Sequence, residues 1–190
     1  MKLLLHACCA PCTIYPIEET KKQNIEVTGF FYNPNIHPEA EYTKRKKEVD
    51  TLFKSEDLNA VFYEYDAIPF FDNISKKNTS SLRCPACWNL RLRKTASFAE
   101  ENGFDAFSTT LLGSPYQNHE IIKKICEDIS QETKSKFYYK DFRIGFKDAH
   151  KKAKGKGMYC QNYCGCVFSM IEREEARKSK KEKLHSPVYS

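Results

Sequence analysis

The sequence predicts an α/β domain in which a parallel sheet is covered by helices on both faces. Short runs rich in apolar and β-branched residues alternate with helical segments over residues 2–140, and such alternation is typical of βαβ units. Because crossovers between parallel strands are right-handed, an open, doubly wound sheet is the economical topology. We expect one domain over 1–190, with a core at 1–141 and a cysteine-containing helical extension at 142–190 that completes the site.

Each element follows from local composition and spacing. Residues 2–6 form an apolar first strand, and a proline in the first turn favours a helix over 11–22. β-branched and aromatic residues predict a second strand at 26–32, which ends at an Asn-Pro-Asn turn. Apolar residues at helical spacing predict a helix over 37–55. Further strands are expected at 59–65, 104–109 and 136–140, and further helices at 70–76, 85–102 and 119–130.

The extension lacks this alternation. It contains a Gly/Lys-rich stretch at 151–157, which predicts a bend, and then a cysteine cluster, a helix and a charged tail at 172–183. The tail is interpreted either as a solvated helix face or as a contact to nucleic acid.

Composition and charge restrict the function classes. The longest apolar runs are only a few residues, and the amino terminus has no extended apolar region of the kind a signal peptide needs. We therefore expect a cytoplasmic protein with no membrane partner. The net charge of +6, from 31 Lys and Arg against 25 acidic residues, suits a nucleic-acid partner without requiring one.

Nine cysteines are the strongest signal in the composition. In a reducing compartment, cysteines at short spacings indicate metal binding or redox chemistry. Cys8, Cys9 and Cys12 follow the first strand, where an open α/β sheet places its ligand site. The start of a helix favours the thiolate form there, and thiolates bind iron and zinc.

A second pair, Cys84 and Cys87, is expected at the start of the long helix, with both sulfurs on one face. Two pairs at two helix N-termini would supply four sulfur ligands, which suits tetrahedral zinc or a [4Fe–4S] cluster. A structural zinc site could use Cys84 and Cys87 with two of the first three cysteines. A thioredoxin-like use of the Cys9-x-x-Cys12 spacing would leave the other cysteines unexplained.

The third group is Cys164-Gly165-Cys166, preceded by Cys160. Two cysteines separated by one glycine can hold a metal or close a strained, easily reduced disulfide. Cys126 lies in an amphipathic segment and is interpreted as an ordinary buried thiol.

Taken together, five motifs occur in an order that resembles the QueH-type epoxyqueuosine reductases. They are HACCAPC at 6–12, NPNI at 33–36, RCPAC at 83–87, FSTTL with SPY between 107 and 116, and QNYCGC at 161–166. The resemblance extends to about residue 170. Cys160 stands where many relatives are expected to have Arg.

The resemblance implies a HUP-like Rossmann domain that reduces epoxyqueuosine to queuosine at the wobble position of tRNA. It implies a [4Fe–4S] cluster on Cys8, Cys9, Cys84 and Cys87. A second, mononuclear iron is associated with the family, and Cys12 is a candidate ligand for it. Cys164 and Cys166 match the family's redox-active pair. Conversion of the epoxide to an alkene and water consumes two electrons and two protons, so an external electron donor is also expected.

Other polar residues are expected to border the same crevice. His6 is interpreted as a core histidine and Trp88 as a packing residue. Arg83 and Arg45 are expected to contact tRNA phosphates. The expected substrate-binding set is Arg83, Thr109, Thr110, Ser114, Tyr116 and Tyr163.

An ATP-dependent tRNA-modifying enzyme of the HUP class is the main enzymatic rival. That class needs a glycine-rich phosphate loop after the first strand, and here the first glycine is Gly29. A zinc-binding RNA module and a thiol–disulfide oxidoreductase stay open as alternatives.

Overall fold

A computed structural model describes residues 1–77 and 79–185, with side chains through residue 178. Its centre is a five-stranded, fully parallel sheet with strand order β3-β2-β1-β4-β5. The predicted fold class is confirmed. The strands are β1 (Lys2–His6), β2 (Glu26–Phe31), β3 (Ala60–Phe62), β4 (Ala106–Thr109) and β5 (Lys136–Phe137).

Helices cover both faces of this sheet. The apolar side chains of α1, α2 and α6 share one core cluster with Leu3 and Leu5 of β1, and those of α4 and α5 share another with Leu4. Alternate residues of a strand point to opposite faces, so β1 supplies both cores. The helices are α1 (Ala10–Lys22), α2 (Glu39–Ser55), α3 (Ile68–Ile74), α4 (Ser80–Glu101), α5 (His119–Glu132), α6 (Phe146–Gly155) and α7 (Val167–His185).

The strand order reverses direction between β1 and β4. His6, the last residue of β1, is in register with Phe30 of β2 on one side and Thr109 of β4 on the other. In a doubly wound sheet, ligands bind outside the carboxyl ends of the strands at this switch point. The fold therefore directs attention to the residues that follow β1 and β4.

The long helix α4 begins earlier than predicted. Thr79 is its N-cap residue and Pro85 lies inside it, because residues 80–84 are compatible with a helix and one proline removes only one backbone hydrogen bond near the start. Cys84 and Cys87 are therefore within α4, and the prediction that they lie at the start of this helix is wrong.

The predicted bend at 151–157 is also wrong for most of its length, because α6 continues to Gly155. Ala149 and Ala153 are buried against α1, and this packing outweighs the local Gly/Lys composition. After α6, a loop with the last three cysteines leads into α7. No helix in the described ranges is both long and apolar enough to cross a membrane.

Candidate metal and redox site

Cys8, Cys9 and Cys12 lie at the switch point, where β1 passes into α1. Cys9 is the N-cap residue of α1, and Cys12 is in its first turn. The three Sγ atoms lie within 4.8 Å of one another, and those of Cys8 and Cys9 are 3.8 Å apart. Among the described residues this is the group of potential ligand atoms close enough to hold a metal ion.

The three thiols are not equivalent. Hydrogen bonds with Cys12 and Cys9 hold the pKa of Cys8 well below its usual range, and the Thr110 hydroxyl donates to its sulfur at 3.3 Å. The same hydroxyl accepts the Cys8 backbone N–H at 3.1 Å. Burial raises the pKa of Cys9, and the hydrogen bond with Cys8 raises that of Cys12. One thiolate, shared by two protonated neighbours, is the expected metal-free state.

Cys84 and Cys87 lie on successive positions of one face of α4. Cys84 packs against the same apolar cluster as Cys8, whereas Cys87 is buried beside Phe70 and Ile74 of α3. Burial raises the pKa of both thiols, that of Cys87 to about 11. Both are therefore neutral at pH 7 until a metal displaces their protons.

A buried arginine connects the two groups. Arg91, one turn beyond Cys87, is 3% exposed and has Nη1 3.9 Å from the Cys87 sulfur. Its Nη2 donates to Asn33 Oδ1 at 2.7 Å, and Asn33 Nδ2 donates to the carbonyl of Ala7 at 2.9 Å. Its positive charge also lowers the pKa of Cys8. Sequence reasoning missed Arg91, although its spacing of four from Cys87 was a usable signal.

The loop that contains Cys164 is held against the residues that follow β2. The His37 backbone N–H donates to the Gly165 carbonyl at 2.8 Å, and the Tyr163 hydroxyl donates to the His37 carbonyl at 2.6 Å. Arg45 donates to the carbonyls of Cys164 and Tyr163, each at 3.2 Å. This side chain is 2% exposed and is paired with Glu41. The expectation that Arg45 contacts tRNA phosphates is therefore wrong: it positions the loop.

Within the loop, the two cysteines differ in exposure and acidity. Cys164 is exposed, and its sulfur lies 3.1 Å from the Ser169 hydroxyl. A hydrogen bond from Cys166 lowers the pKa of Cys164 to about 6, and the same contact raises that of Cys166. Cys166 packs against the cluster that contains Cys87. The loop thus brings a reactive thiol and its neighbour to the α4 side of the site.

Comparison with known proteins identifies the family. Residues 3–172 match the model of the family described as epoxyqueuosine reductase QueH. The chain belongs to the epoxyqueuosine reductase QueH family. A QueH protein of Thermotoga maritima is 38% identical over 91% of this chain and 92% of its own length. A QueH protein of Dehalococcoides mccartyi is 36% identical over 90% of this chain and 94% of its own length.

A solved structure shares the fold. It is described as a predicted subunit of a tRNA methyltransferase from Methanocaldococcus jannaschii, and it covers 81% of this chain and 74% of its own. The TM-score is 0.51 at 12% sequence identity. At that identity the likeness concerns the arrangement of strands and helices alone.

The residues of this QueH family member are suited to a metal or an iron–sulfur cofactor. Three cysteines are clustered at the switch point, and Arg91 and Asn33 connect Cys87 to the same end of the sheet. Sulfur is the ligand type of iron–sulfur clusters and of structural zinc. His6, the neighbouring imidazole, is fully buried between Thr109 Oγ1 at 2.9 Å and the Tyr32 carbonyl at 3.3 Å. Burial lowers its pKa to about 3, so it stays neutral and its ring nitrogens are occupied, as expected of a core histidine.

The predicted substrate-binding residues have different surroundings. Thr109 and Thr110 are fully buried, with their hydroxyls directed at His6 and Cys8 respectively. They support the site from inside. The Ser114 hydroxyl accepts the Tyr116 backbone N–H at 3.3 Å, and Tyr116 itself is 84% exposed. Tyr116 is therefore the member of this group that is most accessible to a large substrate.

The other two members lie at contacts between the extension and the core. Tyr163 is engaged with His37, as described above, and its ring lies 5.2 Å from the Arg45 guanidinium. Arg83 is mostly buried, pairs with Glu172 of α7 at 2.6 Å and lies over the Phe168 ring. These contacts attach α7 to α4 beside Cys84.

Three remaining predictions concern packing residues. Trp88 is buried in the core and donates to Gln117 Oε1 at 3.1 Å, which confirms its packing role. Cys126 is fully buried in the α5 core, as expected. The Cys160 thiol donates to the Met158 carbonyl at 3.6 Å, and the residue packs against the core cluster of α1, α2 and α6.

Proposed function

We propose that this chain reduces epoxyqueuosine to queuosine in tRNA, with a sulfur-ligated iron cofactor and a dithiol at one end of the sheet. The observation that carries the proposal is the cluster of Cys8, Cys9 and Cys12 at the switch point of a QueH family member. Since tRNA is the substrate, the cytoplasm is the compartment we assign to it.

In this proposal Cys8, Cys9, Cys84 and Cys87 hold a [4Fe–4S] cluster, which supplies electrons one at a time when bound. Cys12 then stays available as a ligand for a second iron. The support is geometric and chemical: Cys8, Cys9 and Cys12 are clustered, Cys87 is connected to them through Arg91 and Asn33, and all are thiols. Four of the five thiols have a raised pKa, so the metal must displace their protons on binding.

Cys164 and Cys166 carry the two-electron step. Oxidation of this dithiol to a disulfide releases two electrons and two protons, which match the needs of converting an epoxide to an alkene and water. Cys164 is exposed and has a lowered pKa, so it is the member of the pair that is ionised near neutral pH and is the more readily oxidised thiol. An external donor must then reduce the disulfide. We assign residues 142–190 the task of completing the site, because the loop at 163–166 docks on Arg45 and His37.

Anaerobic purification tests the cofactor and the reaction together. The protein should be brown from sulfur-to-iron charge transfer and should contain iron and sulfide. It should also convert epoxyqueuosine in tRNA to queuosine when a reductant is supplied. A colourless, zinc-containing protein without turnover would favour the RNA-binding module, and a metal-free protein with full turnover would favour a simple thiol–disulfide enzyme.

A further inference from the structure

Arg91 is a buried cation without a carboxylate. The guanidinium groups of Arg45 and Arg83 pair with Glu41 and Glu172. Among the described residues, Arg91 has no such ion pair, and its Nε–H is buried without a hydrogen-bond partner. A buried charge is strongly unfavourable unless an anion compensates it. The groups next to Arg91 that can become anionic are thiols.

We infer that Arg91 is the counter-cation of the sulfur-ligated group and that its Nε–H is the donor reserved for sulfur. This inference rests on the proposed function. Four thiolate ligands bring negative charge into a buried site, and a fixed guanidinium offsets part of it. Hydrogen bonds and charge beside the sulfurs also set the reduction potential of an iron–sulfur centre.

The same side chain positions the ligands. Through Asn33, Arg91 joins α4 to the carbonyl of Ala7, the residue before Cys8. It therefore connects the Cys84/Cys87 segment to the Cys8/Cys9 segment by two hydrogen bonds. Charge compensation and ligand spacing depend on one residue.

Three variants separate charge from packing. Arg91→Gln removes the charge, Arg91→Met fills the volume without polar atoms, and Arg91→Lys keeps a charge but loses Nε–H. Arg93→Gln is the matched control, because Arg93 is on the same helix but exposed and paired with Glu132. Redox titration of the visible absorption should show a more negative reduction potential in Arg91→Gln and Arg91→Met than in the wild-type protein. The potential of Arg91→Lys should be intermediate, and that of the control should not change.

A second readout needs no turnover. The affinity of the metal-free protein for Co²⁺ should fall roughly 10- to 100-fold in Arg91→Gln and Arg91→Met, as is typical when a group behind the ligands is lost. Wild-type potential and affinity in a folded Arg91→Met variant would show that Arg91 serves packing alone, and would overturn the inference. Wild-type protein without any metal would instead overturn the proposed function.

An independent observation concerns the surface of α6. Lys147, Lys151 and Lys154 are exposed on one flank of this helix, at helical spacing, and form no ion pair among the described residues. Lys152, on the other flank, pairs with Glu18. Three unpaired cations in a row are a suitable contact for a phosphate backbone.

This flank continues into three aromatic rings. The half-buried rings of Phe146 and His150 are tilted with centroids 4.0 Å apart, and the exposed Tyr116 meets Phe146 edge-on at 5.9 Å. The segment before Tyr116 borders the cysteines, because a Cβ on Gly113 would lie 3.9 Å from the Cys12 carbonyl. We propose that this surface binds a stem-loop of the tRNA, with Tyr116 under an unpaired base and the lysines along the phosphates.

Charge reversal tests the surface. The triple variant Lys147→Glu, Lys151→Glu, Lys154→Glu should bind unmodified tRNA at least tenfold more weakly. The slope of log affinity against log salt concentration should also fall, by the amount that corresponds to about two to three lost phosphate contacts. The matched control reverses Lys2, Lys134 and Lys136, which are exposed and unpaired in the described structure at the opposite end of the strands. An equal loss of tRNA affinity in the two triple variants would mean that only net charge matters, and it would overturn the proposal. Failure of the wild-type protein to bind tRNA would overturn the proposed function itself.

Discussion

The two cysteine regions that this fold brings together are built in opposite ways. Cys8, Cys9 and Cys12 are attached to the central strand, beneath the Thr110 hydroxyl, and two of the three have a raised pKa. Cys164 and Cys166 lie on a loop that is fixed mainly through backbone carbonyls, and the exposed thiol has a lowered pKa. The difference teaches that the first region is suited to hold a cofactor permanently and the second to react repeatedly.

The largest loss of cofactor and activity is expected from substitution of the proposed cluster ligands. Serine at Cys8, Cys9, Cys84 or Cys87 should reduce iron and sulfide content and abolish turnover, because a hydroxyl is a poor ligand for iron–sulfur clusters. Iron analysis and the visible spectrum measure this. Cys126→Ala is the control: its buried thiol lies in the α5 core, so iron content should stay normal. Full iron loading in Cys84→Ser would remove Cys84 from the ligand set.

A Cys164→Ser, Cys166→Ser double variant should lose turnover but keep its colour and Tm. The reason is that the loop is held by carbonyls and by Tyr163, and none of these contacts needs a thiol side chain. Nucleoside analysis of treated tRNA measures the reaction. Normal turnover would contradict the redox role, and a loss of folding would show that the pair is a structural clamp.

Gly165→Ala should give a partial loss of activity with the cofactor retained. Gly165 has φ of +110°, and a Cβ would lie 2.8 Å from Ile36 Cγ1, so the loop must shift or accept strain of about 1–3 kcal/mol. Gly157→Ala is the matched control, because its φ is +67° but no atom lies within 4 Å of the added Cβ. If both variants lose activity equally, docking of the loop is not the cause.

The smallest effect is a difference between Cys164 and Cys87 in the pH dependence of their alkylation. In reduced, metal-free protein, Cys164 should react with iodoacetamide with a midpoint near its pKa of about 6, since a lowered pKa leaves the thiolate populated above that pH. Cys87, with a pKa raised to about 11, should react only at alkaline pH. Ser169→Ala should move the midpoint of Cys164 upward by removing one hydrogen bond. Peptide mapping at several pH values would show equal midpoints if the regions do not differ.

The sequence predicted the sheet and the position of Cys8, Cys9 and Cys12 after its first strand, because both depend on local patterns. Alternating apolar segments predict parallel strands, and residues after the first strand of such a sheet lie at the ligand site. The error in the start of α4 came from giving Pro85 the role of a first-turn residue. The α6 helix was missed because its stability comes from packing on α1, which local composition does not encode.

The buried arginines could not be predicted by the same reasoning. Arginine is mostly exposed in proteins, so Arg45 was expected at a phosphate and Arg91 was overlooked. Their burial depends on partners far along the chain: Arg91 meets Asn33 across 58 residues and Arg45 meets Cys164 across 119. Periodicity within one helix contains no information about such partners.

The central place of β1 in the sheet has a consequence for biogenesis. This strand precedes the other four along the chain, yet one of its two edges pairs with Ala106–Thr109 and stays open until that segment has been synthesised. The turn with Cys8 is fixed by Thr110, which comes later still. The turn that presents Cys8, Cys9 and Cys12 is therefore complete only in a nascent chain that has nearly finished its sheet. We expect cofactor delivery to follow folding, with the metal-free domain as the species that the iron–sulfur assembly machinery encounters.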